Sequence, residues 1–194
     1  MDNLPIELLG IIFSYLAKDR VEDLLVVRRV CTRWKRAFEK NIGTIDIDLC
    51  EHDIKDDDLK LFRGVRKISL RGCKNITDKG LSILQPLDGI KTIEWIDLSY
   101  CRKITDEGMI YLEGVSTINL YDCYISNWAL DYLKDVKNIK WDENSIISDG
   151  GLAKFKHLDS IDICGGRITD EGLANLQGVK KVEISHLNIT DEGL

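Results

Sequence analysis

The sequence predicts an α/β chain: a short helical segment followed by a solenoid, with parallel strands on the concave face and short helices or 3-10 turns on the convex face. Three observations carry this expectation. A six-residue string recurs down the chain at a near-constant step. Each copy follows a short segment that alternates apolar and polar residues. The first forty residues carry more large apolar side chains than so short a segment can hide.

The N-terminal segment reads as helical because its apolar residues cluster on one side of a 100° wheel. Leu8, Leu9, Ile11, Ile12, Phe13, Tyr15 and Leu16 cover an arc of roughly 200°, twice the stripe a helix needs to rest on its own domain. Leu24-Leu25-Val26-Val27, then Val30, Cys31, Trp34 and Phe38 continue the excess. Segments below about 40 residues rarely stabilise themselves, so a covering surface is expected. Pro5 at a helix start and Glu7 in its first turn follow the capping preferences.

The second part is repetitive. Ile76-Thr-Asp-Lys-Gly-Leu81, Ile104-Thr-Asp-Glu-Gly-Met109, Ile125-Ser-Asn-Trp-Ala-Leu130, Ile147-Ser-Asp-Gly-Gly-Leu152, Ile168-Thr-Asp-Glu-Gly-Leu173 and Ile189-Thr-Asp-Glu-Gly-Leu194 align, with Ile54–Leu59 a looser seventh. Their starting isoleucines are 22, 28, 21, 22, 21 and 21 residues apart. A fixed period of this size marks a solenoid. The segments Ile45–Leu49, Ile68–Leu70, Ile96–Leu98, Ile118–Leu120, Ile139–Trp141, Ile161–Ile163 and Val182–Ile184 alternate with period two, as half-buried strands do. The Thr/Ser-Asp pair fits a helix start, with the hydroxyl as cap and the carboxylate at the positive dipole end. Asn127 and Trp128 break that rule. The step of 28 marks about six inserted residues around Gln85–Gly89, read as a loop or a longer convex helix.

With an apolar residue three positions before each strand (Val65, Ile93, Val115, Val136, Leu158, Val179), the unit becomes L-x-x-L-x-L-x-x-C-x-x-I-T-D-x-G-L. It resembles the leucine-rich repeats of the cysteine-containing subtype, with Cys73, Cys101 and Cys123 in the cysteine place and His52, Asn144, Gly166 and Leu187 there in other units. Units of 21–22 residues are short for that subtype, so abbreviated convex helices are expected. The cysteines read as buried turn-fillers. Leu4-Pro5-Ile6-Glu7-Leu8-Leu9, Ile12-Phe13, Tyr15-Leu16, Asp23-Leu24 and Val30-Cys31-Thr32-Arg33-Trp34 resemble an F-box, with a connection at 17–22 about two residues longer than usual. The division expected is a three-helix F-box at 1–42 and about seven leucine-rich repeats over 43–194, the last of them incomplete at Leu194 and frayed from about residue 179.

These resemblances imply a substrate-recognition subunit of an SCF-type ubiquitin ligase. The F-box would bind a Skp-family adaptor, and through it a cullin, while the repeats recruit a protein substrate. By position, Leu4, Pro5, Leu8, Ile12 and Phe13 would face the adaptor. Leu16, Leu24 and Trp34 belong to the same candidate set but could instead lock the helices together. The alternative is a repeat scaffold whose N-terminal helices only cap the first repeat, Trp34, Ala37 and Phe38 being placed to do so. On the concave face the alternation puts Trp95, Tyr100 and Tyr121 together, edged by Asp97, Asn119 and Asp122. This patch is the candidate substrate site, its acids selecting a basic segment.

Composition narrows the other possibilities. Of the 194 residues 44% are apolar and 31% charged, and no run reaches the roughly 20 apolar residues of a membrane span. The net charge of −6 divides into +2 over residues 1–42 and −8 over the rest, which disfavours nucleic acid as a partner. No Cys-x-x-Cys pair and only three histidines occur, so no metal, cofactor or catalytic residue is expected. Asp56-Asp57-Asp58 reads as a solvated turn, not a cation loop. The location expected is cytoplasmic or nuclear, or a host's cytosol if the chain is a viral or bacterial effector.

Overall fold

The computed structural model describes residues 12–13, 15–16, 32–85, 93–187 and 189–190. Seven short strands form one parallel sheet in chain order, β1 Asp46–Asp48, β2 Lys67–Ser69, β3 Trp95–Asp97, β4 Thr117–Asn119, β5 Asn138–Asp142, β6 Ser160–Cys164 and β7 Lys181–Ser185. The register matches the sequence repeat: Ile47, Ile68, Ile96, Ile118, Ile139, Ile161 and Val182 stand side by side. The convex side carries short helices at Asp78–Leu84, Asp149–Leu152 and Asp170–Leu173, and 3-10 turns at Asp56–Phe62, Asp106–Leu112 and Ala129–Asp131. The expected solenoid is thus the observed fold. The inserted residues 86–90 lie outside the described set.

The core is a continuous stack. The strand isoleucines, the leucines that follow them, the string isoleucines from Ile54 to Ile168 and Leu59, Leu81, Met109, Leu130 and Leu152 are all buried. Trp141 occupies a strand-leucine place, is 1% exposed and stacks on Phe155 at 6.3 Å. Its Nε1 lacks a hydrogen-bond partner, so at this repeat volume has been favoured over polar satisfaction.

The Thr-Asp pairs tie neighbouring repeats together, a role the sequence reading did not assign them. The carboxylate of each string accepts both the backbone N–H and the hydroxyl of the Thr or Ser one repeat later. Asp56 holds Thr77, Asp78 holds Thr105, Asp106 holds Ser126, Asp149 holds Thr169 and Asp170 holds Thr190. The amide bonds measure 2.8–2.9 Å and the hydroxyl bonds 2.6–2.7 Å. Hydrogen bonds to an ionised acceptor are about twice as strong as neutral ones. The Thr190 bonds hold the Asp170 carboxyl below its ordinary range. A depressed carboxyl contributes stability above its unfolded pKa and loses it as the pH falls through the folded value.

This clamp accounts for the departure at Asn127. Its side-chain oxygen accepts from the Ser148 N–H at 3.1 Å, and its amide donates to the Ser148 hydroxyl at 2.8 Å. The slot is filled with donor and acceptor partly exchanged. The clamp also explains the glycine two residues after most of the aspartates. A Cβ at Gly108 would stand 2.3 Å from Asp78 Oδ1, and one at Gly172 only 2.1 Å from Asp149 Oδ1. In the first unit no preceding carboxylate enters, and Asp58 stands where most others have glycine and one has Ala129. Asp58 accepts from the Lys55 N–H at 2.9 Å, while Asp57 pairs with Lys60 at 2.8 Å and Asp56 holds Thr77. All three acids of that run are therefore engaged.

At the two ends of the stack burial differs. Phe38, in the helix Thr32–Asn41, sits edge-on between Phe13 at 5.3 Å and Phe62 of the first repeat at 6.5 Å. At the other end Val182 is 38% exposed where its counterpart Ile161 is 1% exposed. Amide hydrogens of β7 should therefore exchange at least tenfold faster than those of β4, read by exchange mass spectrometry. Equal protection in the two strands would contradict this.

Candidate functional site

The strand residues between the buried isoleucines and leucines form the predicted columns. Asp46, Lys67, Trp95, Thr117, Asn138, Ser160 and Lys181 are paired across the sheet, as are Asp48, Ser69, Asp97, Asn119, Lys140, Asp162 and Glu183. Along the first column, Asn138 donates to Thr117 Oγ1 at 3.0 Å and accepts from Ser160 Oγ at 2.8 Å. Several charges are matched in place: Lys67 with Asp46 at 3.7 Å, Lys140 with Asp162 at 2.9 Å and Lys181 with Glu183 at 3.0 Å.

The expected aromatic patch is brought together only in part. The Tyr100 and Tyr121 rings lie 5.8 Å apart, and the Arg71 guanidinium stacks over Tyr100 at 5.4 Å. Trp95 is not their neighbour. It starts β3 and lines a concave groove with Thr44, Asp46, Lys67 and Ser69, whereas Tyr100 follows the strand and lines a separate groove with His52, Arg71 and Lys74.

The polar edge of the patch is also corrected. Asp122 is 3% exposed and structural: it accepts from Arg102 Nε at 2.7 Å and from the Asn144 amide at 2.6 Å. Asp97 accepts from the Ser99 N–H at 2.8 Å, and Asn119 from the Tyr121 N–H at 3.2 Å. These are Asx turns, in which a short polar side chain bonds the backbone two residues on. They start the descent from each strand into a left-handed residue. Glu51, Gly72, Tyr100, Asp122, Gly165 and His186 share one position of the repeat and have φ between 56° and 79°. A non-glycine residue there costs about 1–2 kcal/mol. Inter-repeat bonds hold it in place, such as Tyr100 N–H to Tyr121 O at 2.8 Å. The expected acidic selector of a basic segment is thus largely turn architecture.

The thiols behave as the spacing implied. Cys73, Cys101 and Cys123 are fully buried and donate to the carbonyls of Leu49, Leu70 and Leu98 in the preceding repeat, at 2.9, 3.0 and 3.0 Å. Burial raises all three pKa values, those of Cys73 and Cys123 to about 12. A buried thiol that is not ionised near neutrality is neither a nucleophile nor a metal ligand. Among the described residues no three His, Cys, Asp or Glu converge on a metal position, and no helix is long and apolar enough to cross a membrane.

Of the expected adaptor-facing residues, Leu4, Pro5, Leu8 and Leu24 lie outside the described residues, as does the side chain of Trp34. Phe13 does not face outward. It is wholly buried against Phe38, because a ring at the junction gains more from the first repeat's open end than from solvent. Ile12 and Leu16 are half-buried and pack against the same core, while Tyr15 is 65% exposed.

Residues 1–42 match the family described as F-box-like, and residues 91–112 match the family described as Leucine Rich repeat. No curated protein matches the chain. Among solved structures, the crystal structure of the Rad7 and Elc1 complex in yeast is similar, at 15% identity and a TM-score of 0.49. The similarity covers 68% of this chain and 44% of that one, so this chain spans less than half the length of its neighbour. The chain carries an F-box-like segment in front of leucine-rich repeats and so matches an F-box/leucine-rich-repeat protein.

Proposed function

We propose that this chain is the non-catalytic, substrate-recruiting subunit of an SCF-type ubiquitin ligase. Its F-box-like segment docks on a Skp-family adaptor and through it on a cullin, and its repeats hold a protein substrate. The observation that carries the reading is the F-box-like match over residues 1–42 immediately ahead of the first strand. The buried ladder of Cys73, Cys101 and Cys123 fits a binding role, since burial holds these three thiols protonated. A cytoplasmic or nuclear location follows from where such ligases act.

A second reading, the capped repeat scaffold, is favoured by the seating of Phe38 against Phe62 of the first repeat, with Phe13 packed behind it. The two readings differ in the outward face of residues 4–16. The double variant Pro5→Ala/Leu8→Ala should abolish capture of a purified Skp-family adaptor by the full chain, with the thermal unfolding of the repeats unchanged. No capture by the wild type would leave the scaffold reading standing, and capture at wild-type level by the double variant would overturn the assignment of the docking face to Pro5 and Leu8.

A further inference from the structure

The edge where the strands descend toward the convex side differs in charge from the rest of this acidic chain. Repeats two and three place Arg71, Lys74, Arg102 and Lys103 there, all exposed. Arg102 is neutralised by buried Asp122. Lys103 donates only to the neutral Asn75 side chain, at 3.0 Å. Arg71 and Lys74 have no ion pair among the described residues, and Arg71 instead lies over the Tyr100 ring. Between them opens a groove of about 680 Å³. Glu51 and Asp53 wall its far side, and Asp53 is held by the Asn75 amide at 2.8 Å. Tyr121 and Tyr124, 39% and 53% exposed, extend the aromatic surface into repeat four.

Three cations without a carboxylate partner beside three tyrosines is an arrangement for recognition. Guanidinium and ammonium groups bind carboxylates through charge-assisted hydrogen bonds; on the groove's lining Arg71 and Lys74 have no ion pair among the described residues, while of the two carboxylates there Asp53 is held by Asn75. A nucleic acid would bring evenly spaced phosphates against Glu51, Asp53 and Glu143 as well, whereas a peptide can place its charges only where cations stand.

We propose that this edge binds an extended acidic segment of the recruited protein, with carboxylates at Arg71, Lys74 and Lys103 and an apolar side chain on Tyr100 and Tyr121. The proposal rests on the reading of the chain as a recruiting subunit and names the chemistry of what is recruited. It reverses the charge expected from the sequence because Asp97 and Asp122 are engaged, in an Asx turn and with Arg102, while Arg71 and Lys74 have no ion pair among the described residues.

The test is selection of a displayed library of random twelve-residue peptides on the full chain. The enriched pool should carry net negative charge, and Lys74→Glu or Arg71→Glu should each lower capture of that pool at least tenfold. Lys74 makes no described contact, so its reversal isolates binding from folding, and thermal unfolding of each variant checks this. Three results would overturn the proposal: a neutral or basic pool, no enrichment over the blank support, or an acidic pool indifferent to both reversals. Adaptor capture does not involve this edge, so its outcome separates failure of this proposal from failure of the ligase reading.

Discussion

Replacing Gly108 by alanine is expected to destabilise the protein by about 3 kcal/mol, although alanine is the better helix former by close to 1 kcal/mol. The new Cβ would stand 2.3 Å from Asp78 Oδ1 and 3.0 Å from its Cγ and from Leu81 Cδ1. The carboxylate must shift, which weakens its bonds to the Thr105 N–H and hydroxyl; Ala129 is tolerated at the same place one repeat on, with the Asp106–Ser126 bonds intact, where the convex segment is only the 3-10 turn Ala129–Asp131. A hydrogen bond to a charged group contributes about 1.5–3 kcal/mol. Asp78→Ala should have a similar cost, since it leaves the same donors unpaired. The decisive measurement is the double variant in urea denaturation. With Asp78 removed, Gly108→Ala meets no oxygen and should add little, giving a coupling on the order of 2 kcal/mol. Additive losses, or a more stable Gly108→Ala protein, would show that the carboxylate does not set the glycine.

Phe38→Ala should have the second large effect, about 3–5 kcal/mol, the usual cost of truncating a buried aromatic. Phe38 is 7% exposed and touches Phe13 on one side and Phe62 on the other. The helix Thr32–Asn41 should detach from the first repeat, and limited proteolysis should cut between residues 32 and 45. Under the ligase reading the variant still captures the adaptor, because Phe13 and Phe38 serve the junction and not the docking face. Under the scaffold reading the freed repeats lose their cap and aggregate. Unchanged resistance to proteolysis would mean that the junction does not depend on this ring.

Much of this was legible in the sequence because a solenoid repeats its local physics. Each unit must bury the same strand isoleucine and leucine and turn at the same place. The period therefore gave both the number of strands and their register, down to which of Asp46, Lys67 and Trp95 stand side by side. The buried cysteine ladder was legible for the same reason. The candidate patch was legible only in half: Tyr100 and Tyr121 do meet, while Trp95 lines a separate groove.

What the sequence determined by itself, then, is the repeat, its register and its inward residues, since hydrophobic periodicity is a local property of the chain. Only the tertiary structure decided what the polar residues do. The Thr-Asp pair reads as a helix cap within its own unit, but its carboxylate bonds the next unit some twenty residues away. Asp97 and Asp122 read as free acids, but one starts a turn and the other is buried under Arg102. Phe13 reads as an outward anchor, but its ring is buried against Phe38. In each case the partner is distant in sequence. A hydrogen bond or ion pair depends on position to within an ångström, which a pattern of residue types does not carry.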